Sequence, residues 1–143
     1  MCSLNIRVKP RTDAERKAVV EAMDELRDEW GFSPSFEAND FLNRWMTFVQ
    51  EVENGYQLSL ADYTQELELR DSIETFKGKM PDRLRMEIQD ILVPYDERFR
   101  FATRETHKPL LPTSESPGAF WWWRLPTVLA GELLHEARLE DLV

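Results

Sequence analysis

The sequence predicts an all-α fold, a single domain spanning residues 1–143 and built as an antiparallel bundle of four to six helices. Three features support this prediction. Apolar residues recur every three or four positions, helix start and stop signals flank the periodic segments, and the connections between them are short. At 143 residues, 42% of them hydrophobic, the chain is long enough for one core, whereas two domains would each be small for independent folding.

The first helix is predicted to run from about Asp13 to Trp30. Thr12 and Glu15 have capping-box spacing, in which the threonine side chain accepts a backbone N–H and the glutamate reaches back to a second one. Gly31 ends the helix in this prediction, because glycine adopts the left-handed conformation at little cost. The predicted buried side contains Val19, Ala22, Met23, Leu26 and Trp30.

Two more helices are predicted in the middle of the chain. The second begins within residues 35–39 and ends at Asn54, and its apolar stripe is too wide for a helix with one neighbour. A third starts near Ser59, where Asp62 completes another capping pair. Its apolar residues fall on two nearly opposite faces, which predicts either two short helices or one helix between two neighbours. The second helix carries Phe41, Leu42, Trp45, Met46, Phe48, Val49 and Val52, and the third carries Leu60, Tyr63 and Leu67 on one face and Leu69, Ile73 and Phe76 on the other.

The strongest helical signal lies in residues 82–103. Pro94 falls inside this helix and removes one backbone hydrogen bond, so a kink is predicted there. The apolar period continues beyond the proline, so the helix should not end. Met86 and Val93 lie opposite the stripe, which predicts packing on a second face and a central position in the bundle. The stripe consists of Leu84, Ile88, Ile91, Leu92, Tyr95, Phe99 and Ala102.

The chain loses this period after Thr103. Residues 104–118 contain three prolines and are predicted to form a long loop, and a final helix is predicted from Thr127 to about Asp141 despite Gly131. Three segments alternate apolar and polar residues, which leaves open an α+β alternative with a small sheet made from short N-terminal and Trp-rich strands. They are Leu4–Val8, Tyr56–Leu60 and Trp121–Leu125.

Negative charge is concentrated in the middle of the chain. The sequence has 18 Lys and Arg against 27 Asp and Glu, and residues 37–74 hold nine acidic side chains with only Arg44 and Arg70 as bases. A nucleic-acid backbone needs clustered cations, so we expect no nucleic-acid partner. An acidic segment suits a basic protein partner, whose encounter it accelerates, although solvated acidic helix faces are also common for solubility alone.

Three consecutive indoles, Trp121–Trp123, followed by Arg124, are the most unusual local feature. They cannot all point the same way in a helix or a strand, so at least one should reach the surface or a groove. Trp and Arg are enriched among the residues that dominate binding interfaces. The alternatives are a lid that closes one end of the bundle over Tyr95 and Phe99, and a pocket between helix 82–103 and the indoles in which a planar ligand stacks.

Candidate metal-binding and catalytic groups are sparse. Glu132 and His135 have the Glu-x-x-His spacing of carboxylate-bridged metal helices, but such sites need a second copy that the sequence lacks. We therefore expect no metal and no cofactor. A charged group beyond Pro94 is a conceivable hydrolase or transferase site, but surface ion pairs explain it more simply. That group consists of Glu97, Arg98, Arg104 and His107.

The sequence favours a cytoplasmic location. Cys2 is the single cysteine, so it cannot form an intramolecular disulfide, which favours a reducing compartment. No apolar run approaches the length of a membrane span, and the first seven residues lack the apolar core of a secretion signal. We therefore expect no membrane partner.

The sequence thus favours a non-enzymatic protein-binding module for a basic partner over an enzyme. A small, acidic, helical profile without catalytic groups is similar to that of inhibitor, antitoxin or immunity proteins, a likeness of class and not of motif. The rival hypotheses are a small-molecule binder or enzyme using the pocket beside the indoles, and a homodimer joined through them. The predicted binding residues are Trp121, Trp122, Trp123, Arg124, Glu66, Glu68, Asp71, Arg98 and Arg104.

Overall fold

A computed structural model describes residues 8–31, 38–106, 110 and 121–142, apart from the side chain of Trp30. These residues contain five helices and one pair of two-residue strands, which confirms the predicted all-α bundle. The helices are α1 (Asp13–Trp30), α2 (Ala38–Glu53), α3 (Leu60–Gly78), α4 (Asp82–Ala102) and α5 (Gly131–Leu139). The strands are β1 (Thr103–Arg104) and β2 (Leu125–Pro126), which pair antiparallel. No helix in the described part of the chain is long and apolar enough to cross a membrane.

Helix α1 has the predicted bounds, and its caps explain them. The Thr12 hydroxyl accepts the Glu15 N–H at 3.1 Å, and the Glu15 carboxylate accepts the Arg11 N–H at 2.8 Å. Gly31 ends the helix at φ 68°, and its N–H binds the Arg27 carbonyl. Arg83 of α4 donates twice to the same Glu15 carboxylate, at 2.7 and 2.8 Å, which ties α1 to α4. This guanidinium, more than any other group, lowers the pKa of Glu15 to about 2.

Helix α3 is one continuous helix between several neighbours, which settles the alternatives left open by its two apolar faces. It contacts α1, α2, α4 and α5. Residues of both faces are buried, Tyr63 and Leu67 on one and Leu69 and Ile73 on the other. Its first turn is capped twice, because the Ser59 hydroxyl accepts the Asp62 N–H at 3.1 Å and a Glu136 oxygen accepts the Leu60 N–H at 3.2 Å.

Helix α4 continues through Pro94 as predicted, and the kink expected there stays a prediction. It packs on α2 and α3 through buried Leu84, Ile88, Leu92 and Phe99. The second packing face predicted for α4 is wrong, because Met86 is 64% exposed and Val93 is 38% exposed. The aromatic centre of the core lies between α2, α3 and α4, where ring centroids are 5.0 Å apart for Trp45 and Phe99 and 5.3 Å apart for Phe48 and Tyr63.

The last helix begins at Gly131 and not at Thr127, so its predicted start is wrong. Residues before it continue the strand pairing, since the Thr127 N–H binds the Ala102 carbonyl at 2.8 Å. Gly131 has φ +56°, and a Cβ on it would lie 2.6 Å from the Gln57 carbonyl oxygen. The same carbonyl accepts the Glu132 N–H at 3.0 Å. Close approach to the α2–α3 connection therefore fixes where α5 starts.

The predicted loop and strands differ in detail from the structure. Arg104 belongs to β1 and pairs with Leu125, so the loop cannot begin at 104. Residues 107–109 and 111–120, most of that loop, lie outside the described residues, and Leu110 is buried. Of Leu4–Val8 only Val8 is described, and its N–H binds the Asn39 side chain at 2.6 Å. Tyr56–Ser59 forms a connection without strand structure, so the described sheet is only the β1–β2 pair.

Candidate functional site

Two of the three indoles are held by one carboxylate on α3. The N–H groups of Trp122 and Trp123 point to Asp71 Oδ1 at 2.6 and 3.1 Å, and Trp123 also lies 3.3 Å from Oδ2. Both rings are buried. Partial burial raises the pKa of Asp71, while the two indole N–H bonds act in the opposite direction. The predicted binding residues Asp71, Trp122 and Trp123 thus bind one another.

A buried ion pair lies directly beneath these indoles. Arg70, only 2% exposed, donates to both carboxylate oxygens of Asp96 at 2.7 and 3.3 Å, and to Glu74 at 3.1 Å. Its guanidinium carbon lies 4.2 Å from the ring centroid of Trp122, a cation–π contact. Trp45 of α2 donates its N–H to Asp96 at 2.9 Å. The pair therefore joins α2, α3, α4 and the indole segment.

Asp96 is a buried functional residue to which the sequence analysis assigned no role. A signal was present in the sequence. Asp96 lies four residues after Leu92 and three before Phe99, which places it on the buried stripe of α4. A carboxylate on the buried side of a helix needs a hydrogen-bonding or charged partner, and Arg70 is that partner.

Trp121 and Arg124 complete the packing at this end of the bundle. The Trp121 ring lies 6.2 Å from that of Phe99 and 4.1 Å from the Arg100 guanidinium carbon, as the lid interpretation predicts. Arg124 donates to the hydroxyl and carbonyl oxygens of Thr103 at 2.9 and 3.0 Å. The Tyr63 hydroxyl donates to the Arg124 carbonyl at 2.5 Å. These contacts lie between α4 and the indoles, where a ligand pocket was the alternative prediction, and that alternative stays a prediction.

Other predicted acidic residues have intramolecular cations. Glu66 accepts from Arg44 at 2.9 Å, and Glu53 accepts from Arg98 Nε at 3.0 Å. Glu74 contacts Lys77 at 2.8 Å in addition to Arg70. At least three of the nine acidic side chains in residues 37–74 are therefore paired with a cation within the fold.

Glu68 is different, because it faces a second carboxylate. Partial burial and the nearby Glu29 of α1 both raise the pKa of Glu68, burial having the larger effect. Among the described residues neither carboxylate has a salt bridge or hydrogen-bond donor to its side chain. Glu29 lines a groove of about 60 Å³ between α1 and α3, which we call the α1–α3 groove, and Glu68 lies one helical turn before Ser72 in the same lining. The groove is lined by Ala22, Glu25, Leu26, Glu29, Ser72, Thr75, Phe76 and Lys79.

A second groove, which we call the Phe101 groove, lies at the C-terminal end of α4. It measures about 500 Å³ and is bounded by α2, α4 and the segment after β2. Phe101 is 91% exposed and Val128 is 58% exposed, so an apolar surface projects here. The sequence reasoning missed it, although Phe101 falls outside the apolar stripe of α4. The lining residues are Val52, Glu53, Arg98, Phe101, Ala102, Thr127 and Val128.

The remaining candidate residues do not converge. Arg104 is exposed on β1, and His107 lies outside the described residues. Glu132 and His135 are both exposed on α5. No group of three or more His, Cys, Asp or Glu side chains able to hold a metal ion occurs among the described residues. No protein family, curated protein or solved structure matches the chain, so its own contacts carry the functional argument.

Proposed function

We propose that this chain is a non-enzymatic module that binds a basic protein through the α1–α3 groove. In class it would be an inhibitor, antitoxin or immunity-type protein, acting in the cytoplasm, where its single cysteine stays reduced. The observation that carries the proposal is the pair Glu29 and Glu68, two neighbouring carboxylates of which neither has a salt bridge to a described residue.

A carboxylate pair of this kind favours a cationic ligand on electrostatic grounds. Like charges at close range raise the free energy of the ionised state, and an opposite charge placed between them removes that repulsion. The effect is stronger for partly buried groups, because less solvent screens them. A lysine or arginine from a partner would therefore be stabilised between Glu29 and Glu68 more than beside an isolated surface glutamate.

The groove next to the pair suits the rest of a long basic side chain. Its walls include apolar groups of Ala22, Leu26 and Phe76 and the hydroxyls of Ser72 and Thr75. The ammonium of Lys79, also in the lining, pairs with Glu25 and leaves Glu29 without a salt bridge to a described residue. The methylene stem of a lysine or arginine packs on apolar surface while its charged head reaches polar groups. The formal net charge of −9 adds long-range attraction for a basic partner and accelerates the encounter.

The indole segment supports this function indirectly. Asp71 lies three residues after Glu68, on the next turn of α3, and its bonds to Trp122 and Trp123 hold that stretch of helix in place. A groove fixed before binding loses less conformational entropy when a partner docks. We therefore assign the indoles to support of the binding face.

The test is quantitative affinity purification under native conditions across a series of salt concentrations. The bait is the wild-type chain, the double variant Glu29→Gln/Glu68→Gln, or the charge-matched control Glu132→Gln/Glu140→Gln, whose substituted residues are exposed on or after α5. We expect a basic protein that the wild type and the control retain and the groove variant loses. With the purified partner, the association rate should fall as salt rises.

Two results would contradict the proposal. One is a specific partner that binds the groove variant as tightly as the wild type. The other is a partner whose association rate does not depend on salt, since steering by net charge requires that dependence.

A further inference from the structure

The Phe101 groove contains both a projecting aromatic ring and the cavity beside it. Phe101 and Val128 are exposed, whereas Val52 in the same lining is buried. An exposed phenyl ring gains free energy when it is transferred from water to an apolar site. Exposed aromatic groups next to concave apolar surface are typical of residues that anchor interfaces. The same surface therefore offers an exposed aromatic side chain, Phe101, and an apolar groove that could bury such a side chain.

The charged rim of this groove is also complementary to itself. Arg98 and Glu53 are both partly exposed and pair with each other across the groove lining. They cancel in charge, although the whole chain has a formal net charge of −9. The rim therefore does not select a basic partner. It matches a surface that presents the same two charges in reversed order, which is what a twofold axis generates.

We propose that the occupant of the Phe101 groove is a second copy of this chain. In the symmetric dimer, Phe101 of each copy enters the groove of the other beside Val128. Glu53 of each copy then pairs with Arg98 of the other in place of its own. This proposal uses neither Glu29, Glu68 nor the lining of the α1–α3 groove, so either proposal can fail while the other holds.

Sedimentation velocity across a range from low micromolar to millimolar protein tests the dimer. We expect a reversible monomer–dimer equilibrium for the wild type. Phe101→Asp should raise the dissociation constant by roughly thirtyfold or more, the effect of losing an interface hot spot. Met86→Asp is the matched control, because Met86 is also exposed on α4 but lies outside the groove lining. Far-ultraviolet circular dichroism checks that each variant keeps its helices.

A mixing experiment tests the exchanged ion pair. The variant Arg98→Glu has two acids on the rim and Glu53→Arg has two bases, so each variant alone should be monomeric. Neither variant can form its internal pair, yet an equimolar mixture can form both pairs across the twofold axis. We expect the mixture to form a heterodimer as tightly as, or more tightly than, the wild type forms its dimer.

The outcomes are decisive in both directions. A wild-type chain that stays monomeric up to millimolar concentration overturns the proposal. A dimer that Phe101→Asp leaves unchanged overturns it as well, because the self-contact then lies elsewhere. If Phe101→Asp abolishes the dimer but the mixture stays monomeric, the exchanged pairing between Glu53 and Arg98 is refuted.

Discussion

Two carboxylates on α3, Glu68 and Asp71, lie one helical turn apart and have opposite surroundings. Partial burial raises the pKa of both. Asp71 accepts hydrogen bonds from two indoles, which work against that rise, whereas Glu68 faces Glu29, which adds to it. The two residues carry the same formal charge, but Asp71 holds the indole segment in place, whereas Glu68 has a second carboxylate near it.

The comparison extends to the regions around them. On the Asp71 side the charges are enclosed, since Arg70 and Asp96 pair in the core and Trp122 covers them. On the Glu68 side, α1 presents the exposed acids Glu25 and Glu29 to the α1–α3 groove. Removing one partner of a buried ion pair strongly lowers the free energy of unfolding, because the other charge is left buried and unpaired. Repulsion between exposed like charges changes that free energy little, because solvent screens it. The change in the free energy of unfolding should therefore differ in size and in sign between substitutions on the two sides.

The largest effect is expected for Arg70→Leu. The substitution removes the guanidinium that pairs with buried Asp96 and leaves that carboxylate with the Trp45 N–H as its described donor. Breaking a buried pair from one side typically destabilises a protein by about 3–5 kcal/mol. Urea unfolding followed by circular dichroism measures the free energy of unfolding.

The control for this prediction is Arg85→Leu. Arg85 pairs with Asp82 at the exposed start of α4. Exposed pairs contribute less than about 1 kcal/mol, so the two arginine variants should be clearly separated. If Arg70→Leu cost no more than Arg85→Leu, the buried pair would not be the link that joins the helices.

A smaller loss of stability is expected for Asp71→Ala. It leaves the N–H groups of Trp122 and Trp123 without their acceptor, and an unsatisfied buried donor costs about 1–3 kcal/mol. We expect a total near 2–3 kcal/mol, together with a shift in tryptophan fluorescence as the indoles meet water. Asp71→Asn keeps one side-chain oxygen as an acceptor and should lose about half as much. If Asp71→Ala were as stable as the wild type, the indole segment would not hold α3 in place through Asp71.

Local signals in the sequence account for the helices. Thr12 and Gly31 define both ends of α1 because caps act within a few residues. All seven apolar residues assigned to the stripe of α2 are buried, since a period of three to four residues reports directly on which face meets the core. The start of α5 was mispredicted for the opposite reason. It depends on Gln57, a residue far away in the chain, whose carbonyl approaches Gly131.

The candidate sites depend even more on distant residues. The tryptophan run was recognisable from sequence, but its carboxylate, Asp71, is about fifty positions away. The pairing of Arg70 with Asp96 likewise joins residues of different helices. No local sequence pattern distinguishes Glu68 from Asp71. They differ in their neighbours, which are α1 for Glu68 and the indole segment for Asp71. Charge counts along the chain therefore predict a partner class but not the residues that bind it.

The smallest and most specific effect is expected for Glu68→Gln, which tests the other half of the comparison. Removing one member of a repulsive pair should stabilise the fold at pH 7, within about 0.5 kcal/mol for a partly exposed site. The pKa of Glu68 is higher in the folded chain than its ordinary value of 4.5, so the folded state holds this proton more tightly than the unfolded state. The destabilisation by Glu68 therefore develops as pH rises through 4.5 and is complete above the raised pKa.

The stability difference between Glu68→Gln and the wild type should accordingly disappear in acid, below about pH 4, because the carboxyl is then protonated in both states. Glu29→Gln removes the opposing charge, so adding Glu68→Gln to that background should give a smaller gain at pH 7 than in the wild type. Unfolding free energies of the four chains at several pH values measure both effects. If the gain is the same with and without Glu29, the two carboxylates do not interact, and the electrostatic basis for a cation in the α1–α3 groove is lost. A dependence on Glu29 would show that the two carboxylates repel each other, which is the repulsion that a bound cation would relieve.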